Sequence, residues 1–330
     1  MKKVRWGILS TAKIGTVKVI PAIQKASNCE VAAISSRNSE QAKQAADELG
    51  ISKAYNSYDE LLNDPEIDVV YNPLPNHLHV PYTLKALKAG KHVLCEKPIA
   101  LNAEEALQLA KELEKYPGLK VMEAFMYRFH LQWIKAKQLT DQGVIGEIKT
   151  IHSIFSYFNA DPKNIRNNAD IGGGALMDIG CYCVSFPRFI SGEEPSRVVS
   201  LIDRDPQMHI DRLTSGMLDF PGGMTSTFTC STRMMPYQRA EIHGTEGRIE
   251  ILIPVNAPPD KETLIILHTA KKSETFTFEP VDQYTLEAEM FANSILNDLP
   301  VPTPLTDAVN NMRVIDALFE SAKNKGWVEL

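Results

Sequence analysis

The chain has no uninterrupted apolar run of about 18 residues, the length a membrane-spanning helix needs, so no membrane span is expected. It has no basic excess either: 35 Lys and Arg stand against 41 Asp and Glu, a formal charge of −6. Nucleic acids and anionic membrane surfaces are bound through counterion-releasing basic surface, so neither is expected as a partner. Cysteine is scarce. The five residues Cys29, Cys95, Cys181, Cys183 and Cys230 are odd in number, scattered and set in apolar segments, which excludes a disulfide framework and predicts reduced core thiols. Cys181 and Cys183 are the one close pair, and no His or Cys stands near enough in sequence to complete a metal site, so no metal is expected. Met1-Lys2-Lys3 opens like an export signal, but the apolar run from Val4 to Leu9 is short, broken by Arg5 and followed by no cleavage-like segment. The expectation is a first β-strand and a cytoplasmic protein. Repeats, low-complexity tracts and a recognisable linker are also missing.

What is present is ordinary globular composition, 44% hydrophobic and 23% charged. At 330 residues, a length prior of about 150 residues per domain predicts two domains. From residue 3 to about 122, short β-rich runs alternate with amphipathic stretches, the signature of βαβ units around a parallel sheet. Strands are predicted at 4–10, 30–36, 54–55, 68–71, 92–95 and 120–122, and helices at 14–26, 40–49, 57–62, 80–89 and 103–113. Gly90 reads as a C-cap, and Asn102 with Glu105 as a capping box. After residue 122 the style changes. Helices near 131–142 and 175–190 interleave with strands at 148–158, 197–204, 212–220, 224–230, 239–243 and 248–253. Pro221-Gly222-Gly223 reads as a hairpin turn. Strands near 263–268 and 274–278 precede helices at 284–297 and 305–325. The fold class is therefore α/β: an N-terminal Rossmann domain, parallel and doubly wound, over 1–123, then an α+β domain over 124–330 with a large, mostly antiparallel open sheet. The helix at 305–325 is placed so that it can pack back on the first domain.

The first strand runs into Ser10-Thr11-Ala12-Lys13-Ile14-Gly15, which has the spacing of the Gly-x-Gly-x-x-Gly dinucleotide turn with Ser10 and Ala12 at the first two glycine positions. That turn brings backbone close to a pyrophosphate and points a helix N-terminus at it; small residues keep much of this. The second strand selects the cofactor. An NAD site ends this strand with a carboxylate for the ribose hydroxyls, whereas here it ends Ser35-Ser36-Arg37-Asn38, with no carboxylate before Glu40. A hydroxyl and a guanidinium suit a 2′-phosphate, so NADP(H) is predicted over NAD(H).

With those residues in view, Asn76-His77-Leu78-His79 followed by the run Ala86 to Pro98, which ends Leu94-Cys95-Glu96-Lys97-Pro98, resembles the most distinctive stretch of the Gfo/Idh/MocA oxidoreductase family. The resemblance extends over almost the whole chain, through Glu123 to Arg128, Asn164-Ile165-Arg166, Gly172 to Tyr182 and Gly244 to Arg248. Members similar to inositol dehydrogenases carry Asp-x-x-x-His; this chain has Asp178-x-x-x-Tyr182, which resembles instead the branch of glucose–fructose oxidoreductase, NADP-dependent aldose dehydrogenases and dimeric dihydrodiol dehydrogenase. Those relatives imply a small polyhydroxylated substrate, a pyranose, aldose or cyclic trans-diol, and a homodimer or tetramer. The resemblance also implies cofactor contacts from Ser10, Thr11, Ala12, Lys13, Ile14, Ser36, Arg37, Asn72, Leu74, Asn76, His79, Glu96, Lys97, Arg128 and Arg166, a cis Pro98, and a catalytic set of Lys97, Tyr182 and Asp178. A non-catalytic NADP-sensing regulator on the same fold, and a trans-dihydrodiol dehydrogenase, are the alternative readings.

The chemistry accounts for such a set. Oxidising a hydroxyl-bearing carbon needs a base on the hydroxyl as hydride leaves, and free tyrosine, with a pKa near 10, is a poor one. A lysine ammonium about 4 Å from it, at an effective dielectric of about 20, supplies roughly 4 kcal/mol of attraction before desolvation, enough to bring the phenol toward neutrality. Lys97 is also placed by the resemblance to stabilise charge on the reacting oxygen. Asp178 and Tyr182, four residues apart, share a helix face, and Asp178 is expected to bind substrate hydroxyls or orient Lys97. His77 and His79 lack a third ligand, and Gly172 to Gly174, with no Lys-Ser/Thr behind them, are expected to form a backbone-flexible substrate wall.

Overall fold

In the computed structural model, which describes residues 2–330, the chain forms two compact units. One comprises the residues up to Met126 together with Gln283–Val309, the other Tyr127–Asp282 with Asn310–Leu330.

The first unit is built on six parallel strands, β1 (Val4–Leu9), β2 (Cys29–Ser35), β3 (Lys53–Tyr55), β4 (Val69–Asn72), β5 (His92–Glu96) and β6 (Val121–Ala124). Their order, β3-β2-β1-β4-β5-β6, is that of the doubly wound dinucleotide-binding sheet. Five helices cover its faces: α1 (Ile20–Lys25), α2 (Ser39–Leu49), α3 (Tyr58–Leu62), α4 (His79–Lys88) and α5 (Ala103–Leu113). Their ends follow local chemistry. Asn38 caps α2 by accepting from the N–H groups of Glu40 and Gln41, and α4 stops before Gly90, which takes φ 75°. Asn102 caps α5 through the Glu105 N–H at 2.9 Å, and Glu105 returns a bond to the Leu101 N–H, one residue earlier than a capping box requires.

The helix predicted at 14–26 is not uniform. It begins in ordinary helical form at Lys13 and Ile14, widens to a π turn over Gly15–Val19 and becomes α1 at Ile20, whose N–H reaches back five residues to Gly15. Pro21, with no N–H to give, follows at once, and the widened turn lies where an ordinary i→i−4 ladder would have to be broken.

In the second unit α6 (Leu131–Asp141), β7 (Ile148–Phe158) and α7 (Cys181–Ser191) precede β8 (Arg197–Arg204), β9 (Asp211–Asp219), β10 (Thr225–Ser231), β11 (Arg233–Gly244), β12 (Gly247–Ile251), β13 (Thr263–Thr269) and β14 (Ser273–Phe278). With a short last strand at Val328–Glu329 they make a nine-stranded sheet, antiparallel except where β7 and β10 run parallel. β9 and β10 form the hairpin expected at Pro221-Gly222-Gly223, with Gly222 and Gly223 at φ 80° and 86°. β11 begins six residues earlier than predicted: Pro236 interrupts the pattern, but its register shift against β7 is absorbed between Arg233 and Tyr237. α7 is likewise preceded by a π turn, Leu176–Gly180.

Helix α8 (Gln283–Leu296) returns to the first unit, where Ala288, Phe291 and Ala292 are buried and Phe291 meets Trp6 edge-on at 6.1 Å. The helix expected at 305–325 is divided: α9 (Leu305–Asn324) groups with the first unit through Val309 and with the second from Asn310 onward. The physical reason is that α9 gives its later turns to the second sheet, where the Leu318 carbonyl accepts from Ser200 Oγ at 2.6 Å and Ser321 Oγ accepts from the Ser200 N–H at 2.9 Å.

Candidate active site

In the first unit the expected cofactor residues gather at the carboxyl ends of β1, β2, β4 and β5, where open α/β sheets bind ligands. Ser10 sits at φ 68°, the left-handed conformation that the first glycine of the motif normally supplies, and its Oγ accepts from the Ala12 N–H at 3.2 Å. The turn's shape is therefore kept without the glycine. The N–H groups of Lys13, Ile14 and Gly15 lie in the first turn, before the Thr16 N–H bonds the Ala12 carbonyl, and are placed as a helix-end anion site. At the end of β2, Ser36 is buried with its Oγ accepting from the Asn38 N–H, while Arg37 is exposed beside Tyr58. Burial raises the Tyr58 phenol, and the neighbouring Arg37 charge and hydrogen bond pull it back. A cation and no carboxylate at this strand end fit a phosphorylated ribose.

Beyond β4, the buried Asn72 shapes the next loop: its amide donates to the His79 carbonyl at 3.1 Å and its oxygen accepts from the Leu74 N–H at 3.3 Å. Asn76 begins the single 3-10 turn that leads into α4. His79 is 1% exposed and places Nδ1 2.7 Å from the Pro98 carbonyl and Nε2 2.7 Å from the Leu74 carbonyl. Burial pushes its pKa down to about 4, so the neutral ring donates to one carbonyl at a time. Its ring thus braces backbone on two loops.

The segment around Lys97 is pinned at three positions. Tyr71 donates to Glu96 Oε1 at 2.6 Å, His79 meets the Pro98 carbonyl, and the buried Glu123 accepts from the Ile99 N–H at 2.7 Å. The Lys97–Pro98 peptide is cis. Glu287 of α8 is buried near Glu96, and burial first, then the Glu96 charge, raises its carboxyl well above the usual carboxylate range. Tyr71, Glu123 and Glu287 carry no motif of their own in the sequence. The one available signal was Glu123, the first residue of the stretch matched from Glu123 to Arg128.

In the second unit, Asp178 lies in the π turn and Tyr182 in the first turn of α7. Asp178 Oδ2 accepts from the Tyr157 hydroxyl at 2.5 Å and Oδ1 from Arg166 Nε at 3.0 Å. Arg166, expected to touch cofactor, is thereby joined to the Asp178 carboxylate. Tyr182 is 4% exposed, its ring 6.0 Å from those of Tyr127 and Phe155. Arg128 is buried against α7, donating to Ser185 Oγ at 2.6 Å and to the Tyr127 hydroxyl at 3.3 Å, with its guanidinium over the Phe189 ring. Within the stretch expected to form a backbone-flexible wall, Gly173 and Gly174 are closely packed. A Cβ on Gly173 would lie 2.6 Å from the Arg166 and Asn168 carbonyl oxygens, and one on Gly174 1.9 Å from Asp211 Oδ1, so glycine is required here by close packing.

Among the described residues no helix is long and apolar enough to cross a membrane, and no group of three His, Cys, Asp or Glu is placed to hold a metal ion. All five cysteines are free and buried.

A parallel sheet in this order, with a small-residue turn leading into a helix and a cation at the second strand's end, in a chain whose second unit is built on an open mixed sheet, defines a Rossmann-type oxidoreductase. Residues 4–125 match the model of the oxidoreductase family with an NAD-binding Rossmann fold, and residues 133–250 match the GFO/IDH/MocA C-terminal domain. The chain belongs to the Gfo/Idh/MocA family of oxidoreductases. It is 39% identical to D-xylose 1-dehydrogenase (NADP(+)) 2 of Haloferax volcanii, over 98% of this chain and 99% of that one. Trans-1,2-dihydrobenzene-1,2-diol dehydrogenase of Mus musculus is 33% identical over 75% of this chain and 74% of its own. The crystal structure of KijD10, a 3-ketoreductase from Actinomadura kijaniata in complex with NADP and TDP-benzene, superposes with a TM-score of 0.91 at 28% identity, covering 97% of this chain and 98% of that one.

Proposed function

We propose that this protein is an NADP(H)-dependent oxidoreductase that moves hydride between the nicotinamide and a CH–OH carbon of a pyranose, an aldose or a related polyol. The observation that carries the reading is the Asp178 carboxylate: Tyr157 and Arg166 orient it from two sides, on the helix that bears Tyr182, and this is an acceptor suited to the hydroxyls of a polyol. Likeness to the NADP-dependent xylose dehydrogenase supports the same substrate class.

The residues fit a dinucleotide phosphate. The first-turn N–H groups of Lys13 to Gly15 would hold the pyrophosphate, Ser36 and Arg37 the 2′-phosphate, and the loops carrying Asn72, Leu74, Asn76 and Glu96 the nicotinamide end. Bound, the cofactor supplies or accepts the hydride. The chain's own work is to handle the proton. Tyr182 takes the hydroxyl proton as a base in the oxidative direction, and Lys97 lowers the cost of the phenolate and of the charge on the reacting oxygen. The braces at Glu96, Pro98 and Ile99 hold the Lys97 backbone, so little ordering remains to be done on binding.

Phe158 and Ile165, 65% and 47% exposed, flank Tyr157 and Arg166 in sequence and favour a second reading, a cyclic diol with an apolar face, in line with the dihydrodiol dehydrogenase relative. Turnover with NADP⁺ on a panel of aldoses, polyols and trans-dihydrodiols tests both: an aldose as best substrate supports the first, a dihydrodiol the second, and cofactor binding without turnover on any would leave the sensing regulator.

The open face of the second sheet carries a depression of about 700 Å³ lined by Ile154, Val199, Leu201, Met217 and Tyr237 among others, with Leu201 77% exposed. An apolar face of this kind supports a homodimer or tetramer, and light scattering on the purified protein tests it. Five reduced cysteines suit the cytoplasm.

A further inference from the structure

We propose that Asp211 is a positioning residue of the substrate face: its carboxylate fixes the turn from which the helix bearing Asp178 and Tyr182 departs. The proposal rests on the reading of those two residues as active-site groups.

Asp211 is the first residue of β9 and is 1% exposed. Its Oδ2 accepts from the Leu176 N–H at 2.7 Å and from the Thr214 hydroxyl at 2.9 Å. Leu176 opens the π turn, two residues before Asp178. The other oxygen, Oδ1, occupies the space that a side chain at Gly174 would need, and Gly174 takes φ 124°. Gly174 is in turn a junction. Its N–H donates to the Arg166 carbonyl at 2.9 Å and its carbonyl accepts from the Asp178 N–H at 3.1 Å, while the Arg166 guanidinium returns to the Asp178 carboxylate. The carboxylate of Asp211, the turn, Asp178 and Arg166 thus form one closed set of contacts, and displacement of the first member is passed to the oxygens offered to substrate.

A neutral side chain would serve the fold as well. Burial raises the Asp211 carboxyl to about 6, opposed by its bonds from Leu176 and Thr214 and by the Arg204 charge, so the anion present at neutral pH is a cost to stability. What the anion provides is a charge-assisted acceptor for a first-turn N–H of the helix, where the macrodipole favours negative charge. The groups facing it are Arg204 on β8, the Cys230 thiol on β10, and the Leu176 N–H from the helix side.

The test is Asp211→Asn, with Asp211→Ala beside it, read by thermal melting, NADP⁺ titration, steady-state kinetics on the best panel substrate, and hydrogen exchange of residues 174–183 corrected for intrinsic rate. Asp211→Asn is expected to melt no lower than the parent at neutral pH and to bind NADP⁺ unchanged, yet to lose about tenfold or more in kcat/KM, the scale on which slight misplacement acts. In the parent, exchange over 174–183 should rise as pH falls through about 6; in Asp211→Asn it should be raised already and flat across that range. Parent-like kinetics and exchange in Asp211→Asn would overturn the proposal, as would activity lost only in step with melting temperature in both variants. If the parent turns over no panel substrate while the exchange behaves as expected, the proposed function fails and the anchoring of the helix stands.

Discussion

Tyr157 and Asp178 are joined by a 2.5 Å hydrogen bond from phenol to carboxylate, and burial together with the Asp178 charge drives the Tyr157 phenol to a raised pKa, so it remains a donor throughout the working pH range. Because Arg166 holds the other oxygen, Tyr157→Phe should free one side of the carboxylate without leaving it unpaired. KM for substrate is expected to rise several-fold with NADP⁺ affinity unchanged, and stability to fall by about 1 kcal/mol, the usual net worth of one such bond. Steady-state kinetics and denaturant unfolding check this.

Arg37 is the cation at the end of β2, and Arg37→Asp both removes a charge-assisted donor and adds repulsion toward a 2′-phosphate. NADP⁺ binding should weaken by about 100-fold or more while NAD⁺ binding changes far less. Calorimetric titration of both nucleotides measures it, and tighter NAD⁺ than NADP⁺ binding in the unmodified protein would sink the cofactor assignment.

Lys97 and Tyr182 are expected to act as one proton-handling unit. Lys97→Ala and Tyr182→Phe should each lower kcat by about 100-fold or more, and the double variant should lose far less than the product of the two. Tyr182→Phe should still bind NADP⁺. Near-normal turnover in Tyr182→Phe would remove the tyrosine from the chemistry and leave Lys97 to account for it, since both His79 ring nitrogens already face carbonyls.

The two buried histidines should pull stability down as pH falls below about the ordinary histidine pKa, against the opposite pull of Asp211 and Glu287, whose raised carboxyls take up a proton first in the native state. His79 and His130 are both buried, and burial lowers each to about 4. Between that value and about 6.5, the unfolded chain binds protons that the native rings refuse, so stability is present above the window and is lost as pH falls through it; each ring contributes up to about 3 kcal/mol. His130→Asn, which keeps an acceptor for the Gln132 N–H, should flatten the decline by its own share, as read from urea midpoints at a series of pH values.

Much of the fold was legible because it rests on local periodicity. Six short β-rich runs separated by amphipathic stretches can close only as a parallel sheet with crossover helices, and the six strands fall where the alternation put them. The absence of an acid after β2, the small-residue turn at Ser10 to Gly15 and the Glu96-Lys97-Pro98 motif are likewise statements about adjacent residues, and a sequence displays adjacency directly.

What tertiary structure alone decided involves residues far apart in the chain or a change of helical pitch that no propensity encodes. Tyr71 reaches Glu96 across β4 and β5, Glu123 reaches Ile99 from β6, and Asp211 reaches Leu176 from the far end of β9: each is a lone polar residue whose partner is chosen by strand register. The π turns ahead of Ile20 and Cys181 depend on one backbone bond reaching five residues back, a choice settled by packing rather than by composition. The glycines at 173 and 174 show the same limit, since three small residues in a row read as freedom until the Arg166 and Asn168 carbonyls and the Asp211 carboxylate are seen to fill the space around them. By itself the sequence determined where the strands of the first domain lie, its Rossmann class and the motif residues, because these follow from neighbours along the chain; the order of the strands in the sheet and the clamps that hold those residues in place came only with the fold, because pairing, burial and register are properties of the packed chain.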